Sequence, residues 1–229
     1  MTDPTRIPVR RAAEDTPELW PVRRREVLAR GRLFDYFSDT VEMPSGDTMR
    51  RDFIDHTSAV AVIALDDDEH MVVVHQYRHP VGFRLIEPPA GLLDQDGEGW
   101  LRAAQRELAE EAGLAADDWR LLVDMMTTPG GVNESIRIYL ARDLRAAGAP
   151  DGFEPEGEEA HMDVLRVPVD DLLTGILSGR LQSPSLVAGV LAYAAARDKL
   201  DRLRPADSPW PARGQVERMR AAAPETPAD

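Results

Sequence analysis

The chain has 229 residues, of which 43% are hydrophobic, and it carries a formal net charge of −14 at pH 7. This length and apolar content fit one domain with an extension, and they provide enough apolar side chains for a sizeable core. Phosphate backbones are bound mainly through clustered lysines and arginines, so the acidic balance argues against a nucleic-acid surface. The sequence contains no cysteine, which excludes disulfides, thiolate catalysis and cysteine-ligated metals.

The first twenty residues lack the apolar core of a signal peptide. They are rich in proline, arginine and acidic residues, and we expect residues 1–20 to form a mobile tail. The longest apolar run, residues 59–65, is too short to cross a bilayer. These features predict a cytoplasmic protein that makes no membrane contact.

Hydrophobic patterning predicts two β-rich units in the first third of the chain. Residues 27–43 and 48–56 are predicted strands around the turn at 44–47, which contains the Gly and Asp typical of a hairpin. They form a small N-terminal sheet within a region that spans 21–57. Two apolar, β-branched runs then follow, at 59–65 and 70–77, and they predict a buried hairpin at the start of a main domain that spans 58–204.

The second half of the chain is predicted to contain three strands followed by two helices. The predicted strands are 120–126, 136–141 and 162–167, and the predicted helices are 169–177 and 185–203. Pro168 occupies a position that favours helix initiation, and Ser183 or Ser185 can cap the second helix. Residues 205–229 are rich in alanine and proline and predict a poorly packed extension, with docking of Trp210 on the body or on a partner as the alternative.

Residues 91–114 place a glycine turn before a helix that has carboxylates on one face. Successive helical residues are rotated by about 100°, so Glu110 and Glu111 flank Glu107. Like charges four residues apart destabilise a helix, so this face needs a cation, either an arginine or a metal. An ordinary solvated acidic face is the alternative interpretation. Leu101, Ala104 and Leu108 form the buried stripe, and Gly113 favours a helix end.

The spacing around this helix resembles the Nudix box. Seven residues separate Glu98 from Arg106, and the segment 106–114 reads Arg-Glu-Leu-Ala-Glu-Glu-Ala-Gly-Leu. This matches the part of the box written E-x7-R-E-U-x-E-E-x-G-U, where U is a bulky apolar residue. Six residues rather than five separate Gly91 from Glu98, which we interpret as a one-residue insertion in the loop.

The resemblance implies an α/β fold, an α/β/α sandwich with a mixed sheet, plus a small N-terminal antiparallel sheet exchanged in a homodimer. It also implies a site for Mg²⁺ or Mn²⁺ that cleaves a nucleoside diphosphate linked to another group. Glu107 and Glu111 are the expected main ligands, with Glu110 as an occasional third and the backbone carbonyl of Ala90 as a further ligand. Glu98 is expected to orient the Arg106 guanidinium by a salt bridge.

The flanking segments resemble the ADP-ribose pyrophosphatase subgroup. Residues 76–80 read Gln-Tyr-Arg-His-Pro, and residues 87–94 lead directly into the box. Pro129 lies fifteen residues after Leu114, where a proline marks this subgroup, and the loop that follows it is similar as well. By this resemblance the substrate is ADP-ribose. Substrate contacts are then expected from four residues: Arg78 at the diphosphate, Phe34 and Arg51 at the adenine, and Glu87 at the adenine or ribose.

The subgroup carries a general base on a loop before a strand, and residues 154–162 occupy that place here. Glu159 is the expected base, with Glu158 in reserve and Glu156 as a further alternative. His161 is expected to be an ordinary strand residue. Two other functions stay open: a pyrophosphatase for a nucleotide sugar such as GDP-mannose, and a nucleotide-sensing module that has lost hydrolysis.

Overall fold

The computed structural model describes residues 13–93, 95, 97–148, 161–222 and 225–227. Within these residues the first seven strands are β1 Val22–Arg30, β2 Phe34–Glu42, β3 Thr48–His56, β4 Ala59–Leu65, β5 His70–Arg78, β6 Phe83–Glu87 and β7 Ala90–Leu92. There follow α1 Trp100–Ala112, β8 Leu114–Met126, β9 Ser135–Ala146, β10 Asp163–Pro168, α2 Val169–Leu177 and α3 Pro184–Ala196. A 3-10 helix, Arg197–Arg202, precedes β11 Arg204–Pro205, α4 Pro211–Arg220 and β12 Glu225–Pro227.

The N-terminal sheet has the strand order β12-β1-β2-β3. Its β2–β3 hairpin turns where the sequence predicts it, through residues 43–47. The prediction of one strand over 27–43 is wrong, because the chain reverses after β1. At that reversal the Gly31 N–H donates to the Phe34 carbonyl at 2.8 Å. A side chain at Gly31 would place its Cβ only 2.6 Å from that oxygen, so the tight turn requires glycine.

The main sheet is mixed and follows the order β10-β5-β4-β9-β8-β11, with β6 paired to β5 and β7 paired to β4. Its central strands, β4 and β9, run parallel, and β5 and β8 flank them in antiparallel orientation. Every residue of β4 is buried. A strand buried on both faces accounts for its unbroken apolar sequence.

Helices cover both faces of this sheet. On one face Ala103, Ala104 and Leu108 of α1 pack against Val60 and Val62 of β4. On the other face α2 and α3 pack on the neighbouring residues of the same strand, with Leu172, Leu186, Val190 and Tyr193 buried there. The main domain is therefore the predicted α/β/α sandwich with a mixed sheet.

Several elements differ from the predicted ones in where they begin or end, and two short strands were not predicted. Strands β8 and β9 are longer than predicted, and the short strands β6 and β7 were missed. The last predicted helix ends at Ala196 and continues as a 3-10 helix. Ser183 occupies the N-cap position of α3 but makes no side-chain capping hydrogen bond.

In the C-terminal extension the structure supports the alternative prediction, docking of Trp210, although Val216 is the one buried residue of α4. The Trp210 ring lies 5.3 Å from the Trp100 ring, centroid to centroid, so Trp210 docks on the body of the protein. At the end of α4, the carbonyls of Met219 and Arg220 accept hydrogen bonds from the buried Arg25 guanidinium, and β12 pairs with β1. None of the described helices is both long enough and apolar enough to cross a bilayer.

Candidate metal and substrate site

Helix α1 presents its acidic residues along the edge that faces β7. The helix ends at Gly113, which adopts a left-handed conformation with φ 64° and caps the last turn through its backbone N–H. The predicted stripe holds only in part, since Ala103, Ala104 and Leu108 form the buried side while Leu101 is half-buried. Glu107 is only 8% exposed even though it is charged. Packing therefore holds these carboxylates in a fixed position beside β7.

Two residues of β7 contact the carboxylates directly. The Ala90 backbone N–H donates to Glu111 Oε2 at 2.8 Å. A Cβ at Gly91 would lie 2.0 Å from the Glu107 carboxyl carbon, so this carboxylate sits in space that only a glycine leaves open. The structure thus brings together Ala90, Glu107 and Glu111, which the sequence analysis singles out as ligands.

Arg106 links the other acidic residues of the helix. Its guanidinium donates to Glu98 at 2.9 Å, to Glu107 at 2.6 Å and to Glu110 at 2.9 Å. The hydrogen bond to Glu98 is the strongest of the influences that raise the pKa of Arg106, and burial opposes it. The predicted ion pair between Glu98 and Arg106 is present, and the same arginine also holds two of the predicted ligands.

The donor set at this edge suits a hard divalent cation. Mg²⁺ and Mn²⁺ favour carboxylate and carbonyl oxygens, and Mg²⁺ commonly combines one or two carboxylates with substrate phosphates and water. Three of the carboxylates, Glu98, Glu107 and Glu110, accept from Arg106, and Glu111 accepts from the Ala90 N–H. The oxygen donors along this edge that could contribute to such a site are the Ala90 carbonyl and the carboxylates of Glu107, Glu110 and Glu111.

A second acidic group lies in the β4–β5 turn. Ligand atoms of Asp66, Asp68 and His70 lie within 4.8 Å of one another. Burial of Asp66 acts to raise its pKa, but the N–H groups of His70 and Asp68 and the Arg166 guanidinium outweigh burial and lower the pKa. This turn is at the far end of β4, roughly 17 Å from Ala90 at ~3.3 Å per residue. It belongs to the turn rather than to the α1 site.

Arg78 and Glu87, both predicted to contact substrate, are paired with each other. Arg78 Nη2 and Nε donate to Glu87 Oε2 at 2.6 and 3.0 Å. Glu87 is 7% exposed, whereas the Arg78 side chain is 40% exposed. The buried carboxylate therefore fixes the guanidinium at the protein surface, next to the strand that leads to Ala90.

Phe34 and Arg51 are separated within one chain. Phe34 pairs across the hairpin with His56, and Arg51 pairs with Asp39. His56 and Arg51 are five positions apart on an unbulged strand, about 17 Å, and an odd separation places them on opposite faces. The structure brings Phe34 to His56 instead, with ring centroids 4.3 Å apart and nearly parallel rings.

His56 was not singled out from the sequence, although the hairpin turn at 43–47 gives a register that brings position 34 close to position 56. The loop between β8 and β9 holds this residue. The Asn133 side chain accepts from the His56 backbone N–H at 2.8 Å, and Glu134 lies 3.4 Å from His56 Nε2. The segment that resembles the ADP-ribose subgroup therefore contacts the end of β3.

The predicted base residues, Glu158 and Glu159, lie outside the described residues, as does the alternative Glu156. His161, just after that gap, is exposed and lies before β10 rather than within it, so its prediction as a strand residue is wrong. Its backbone carbonyl accepts a hydrogen bond from Arg84 at 2.9 Å.

Comparisons with known proteins identify the class to which this α/β/α sandwich and its acidic helix edge belong. The NUDIX domain family model matches residues 55–185. The chain is 42% identical over 185 residues to an ADP-ribose pyrophosphatase of Mycobacterium tuberculosis, covering 81% of this chain and 88% of that relative. The chain belongs to the Nudix hydrolase family.

Two further relatives and one solved structure are also similar to this chain. An ADP-ribose pyrophosphatase of Bacillus subtilis is 31% identical over 65% of this chain and 78% of its own length. A GDP-mannose pyrophosphatase of an Enterobacter species is 32% identical over 60% of this chain and 75% of its own length. A crystal structure of an ADP compounds hydrolase matches with a TM-score of 0.69 at 23% identity, covering 82% of this chain and all of that one, which supports the fold.

Proposed function

We propose that the chain hydrolyses the diphosphate linkage of ADP-ribose, giving AMP and ribose 5-phosphate, with Mg²⁺ or Mn²⁺ as the cofactor. The observation that carries the proposal is the acidic edge of α1 packed on Ala90 and Gly91, with Glu107 in the space beside Gly91. The similarity to ADP-ribose pyrophosphatases over most of the chain supports the choice of substrate.

Glu107, Glu111 and the Ala90 carbonyl would hold the metal, with Glu110 as a third carboxylate. A bound divalent metal supplies a water of lowered pKa and charge stabilisation of the diphosphate oxygens. The chain's own contribution is to hold the carboxylate oxygens of the metal ligands in position. Arg106 sets the orientation of Glu107 and Glu110, and Glu98 in turn holds Arg106.

Substrate binding is assigned to Arg78 and Glu87 together. The planar guanidinium offers paired N–H donors that suit diphosphate oxygens. Glu87 accepts from Nε and Nη2 of Arg78 and so sets the plane of the guanidinium that would meet the substrate. Glu87 therefore orients Arg78, in addition to any contact with the adenine or ribose.

We assign the general base to Glu159, with Glu158 and Glu156 as alternatives. A positioned carboxylate would accept a proton from the attacking water, and this contribution is typically worth about 10²–10⁴-fold in rate. Substitution Glu159→Gln is therefore expected to lower kcat by roughly that factor while leaving the thermal unfolding temperature unchanged. An unaltered kcat, with a loss in Glu158→Gln or Glu156→Gln instead, would move the assignment.

The substrate is tested by comparing turnover of ADP-ribose with that of a panel of nucleotide sugars that includes GDP-mannose, in the presence of Mg²⁺. The alternative of a nucleotide-sugar pyrophosphatase is kept because a GDP-mannose pyrophosphatase is among the relatives. A preference for ADP-ribose is expected, and its absence would overturn the substrate. An added phosphatase releases phosphate from the AMP product. Phosphate release is therefore expected from an enzyme, and none is expected from a nucleotide-sensing module that has lost hydrolysis.

A homodimer is part of the proposal. Phe34 and Arg51 lie on opposite faces of one N-terminal sheet, so a single adenine site that uses both would draw them from two subunits. The cytoplasmic location and the lack of nucleic-acid binding stay predictions from the sequence. Sedimentation of the purified chain tests the dimer.

A further inference from the structure

A cavity separate from the acidic edge lies between the start of α1 and the C-terminal segment. It has a volume of about 550 Å³ and is lined by Gly99–Arg102, Arg137, Tyr139 and residues 206–210, 213–214 and 217. Cavities that hold small molecules have volumes of roughly 300–1,000 Å³. The volume therefore suits a ligand larger than a bare inorganic ion.

Two buried polar atoms of this cavity, the Tyr139 hydroxyl and Nη1 of Arg213, lack a well-formed hydrogen bond among the described residues. The Tyr139 hydroxyl still interacts with the neighbouring Arg137 guanidinium, so Nη1 of the half-buried Arg213 is the donor that most needs a partner. Desolvation by burial lowers the pKa of Arg213. A buried donor that lacks a partner costs free energy, and a ligand that accepts a hydrogen bond would remove that cost.

The start of α1 adds donors of the same kind. Its N-cap residue is Gly99, which offers no side-chain hydrogen bond, and its first turn contains no acidic residue. The unpaired N–H groups of a helix start and the helix dipole both favour an anion. Asp207 and Glu217 also line the cavity, but both are exposed to water, which screens their charge.

Aromatic rings form part of the wall. The Arg137 guanidinium lies 5.6 Å from the Trp100 ring centroid and 5.3 Å from that of Trp210. Asp124 and the Ser208 carbonyl already accept hydrogen bonds from Arg137, so its charge is neutralised within the protein. The two indole rings and the Arg137 guanidinium therefore form one packed wall of the cavity, which Arg213 and Tyr139 also line.

We propose that this cavity is a second ligand site, which takes a nucleoside monophosphate with its phosphate at Arg213, Tyr139 and the start of α1. The phosphate oxygens accept from the buried donors, and the base packs beside the Trp100 and Trp210 rings. Arg102 lines the cavity one helical turn before Arg106, so an occupied cavity contacts the same helix that carries the metal ligands.

The test uses the full chain with Mg²⁺ and AMP as the probe. AMP is expected to change tryptophan fluorescence and to raise the unfolding temperature of the wild type. Arg213→Met is expected to raise the AMP concentration at half-maximal response by roughly ten- to a hundredfold, as for a lost hydrogen bond to a charged group. Tyr139→Phe is expected to raise it less. Arg218→Met, on the same helix but outside the cavity lining, is the matched control and keeps the response.

The unfolding temperature of Arg213→Met without AMP distinguishes a ligand-binding role of Arg213 from a purely structural one. If the residue serves only the fold, Arg213→Met lowers the unfolding temperature without AMP, whereas a ligand donor without a partner leaves it unchanged or raised. An equal AMP response in wild type and Arg213→Met would place AMP elsewhere and overturn the proposal, as would no response in the wild type. Turnover of ADP-ribose is expected to be the same in Arg213→Met, so failure of the proposed activity is visible separately.

Discussion

Gly91 leaves open the space that the Glu107 carboxylate occupies. A methyl group there would overlap the Glu107 carboxylate, which Arg106 holds from the other side. Gly91→Ala is therefore expected to displace this carboxylate and to lower the free energy of unfolding by roughly 1–3 kcal/mol, the usual cost of overpacking. Urea unfolding measures the stability, and titration with Mn²⁺ is expected to show weaker metal binding.

The control for this variant is a double-mutant cycle with Glu107→Ala. Truncation of Glu107 removes the atoms that the new methyl group would meet, so Gly91→Ala is expected to cost much less in that background. Equal costs in the two backgrounds would mean that backbone strain at position 91, rather than contact with Glu107, accounts for the loss.

At the scale of elements, α1 depends on one arginine to hold three carboxylates in place. A lysine cannot reproduce the fork with which Arg106 contacts Glu98, Glu107 and Glu110 together. Arg106→Lys is expected to keep the charge and the helix but to weaken Mn²⁺ binding and activity by roughly 10- to 100-fold, as is typical when a group that orients ligands is lost.

Arg102→Lys, on the exposed side of the same helix, is the matched control for the metal site, and it is expected to keep Mn²⁺ affinity. Circular dichroism checks that the helix is intact in both variants. Full activity in Arg106→Lys would show that charge alone, rather than the geometry of the guanidinium, keeps the carboxylates in position.

The elements that could be predicted from sequence are those whose patterns are local. The unbroken apolar run of β4 identifies it as a buried strand, and Gly113 identifies the end of α1. The first half of β8 was missed because the segment 114–119 reads Leu-Ala-Ala-Asp-Asp-Trp, which has no strand pattern. It is a strand because it pairs with the end of β9. Such long-range pairing overrides local propensity.

The same distinction applies to the site. Glu98, Arg106 and the helix glutamates lie on one turn-and-helix segment with the spacing of the Nudix box, so the resemblance to that box allowed the Glu98–Arg106 contact to be predicted. The pairing of Arg78 with Glu87 and the stack of Phe34 on His56 join separate strands, so only the three-dimensional structure reveals them. Docking of Trp210 on Trp100, over a hundred residues away, left no local pattern in the sequence.

At the scale of the whole molecule, two buried tyrosines connect stability to alkaline pH. Burial raises the pKa of Tyr139 to about 12, and burial together with Glu69 raises the pKa of Tyr193 to about 12. The unfolded value is about 10. Their stabilising effect is therefore fully present below pH 10 and is lost as the pH rises through 12, by up to about 1.4 kcal/mol per pH unit for each tyrosine.

Urea unfolding between pH 8 and pH 12 measures this loss. Tyr139→Phe removes a titrating hydroxyl and is expected to flatten the decline above pH 10. Tyr36→Phe, at an exposed position of β2, is expected to leave the decline unchanged. The same steep decline in Tyr139→Phe and in wild type would assign the alkaline loss to other groups.

The C-terminal segment ties the two sheets together, and its removal tests that connection. A chain truncated after Leu203 loses β11, Trp210, α4 and β12. Trp100 then loses its ring partner, and Arg25 loses the carbonyl acceptors of Met219 and Arg220 while keeping its salt bridge with Asp39. The free energy of unfolding is expected to fall by several kcal/mol in total. The half-buried Trp210 ring contributes less than the roughly 3–5 kcal/mol of a core aromatic residue, and each hydrogen bond lost by the charged Arg25 adds about 1.5–3 kcal/mol.

Hydrogen exchange identifies where that stability is lost. Faster exchange is expected in β1 and β2, where Arg25 and Asp39 lie, and little change is expected in β4, which is buried between the two helical layers. Trp210→Ala in the full chain separates the two contributions, because it removes the ring contact but leaves α4 against Arg25. Unchanged stability and exchange in the truncated chain would show that α4 rests on the protein without stabilising it. Loss confined to β1 and β2 would instead establish that the C-terminal segment stabilises the N-terminal sheet, through the Arg25 contacts of α4 and the pairing of β12 with β1 together.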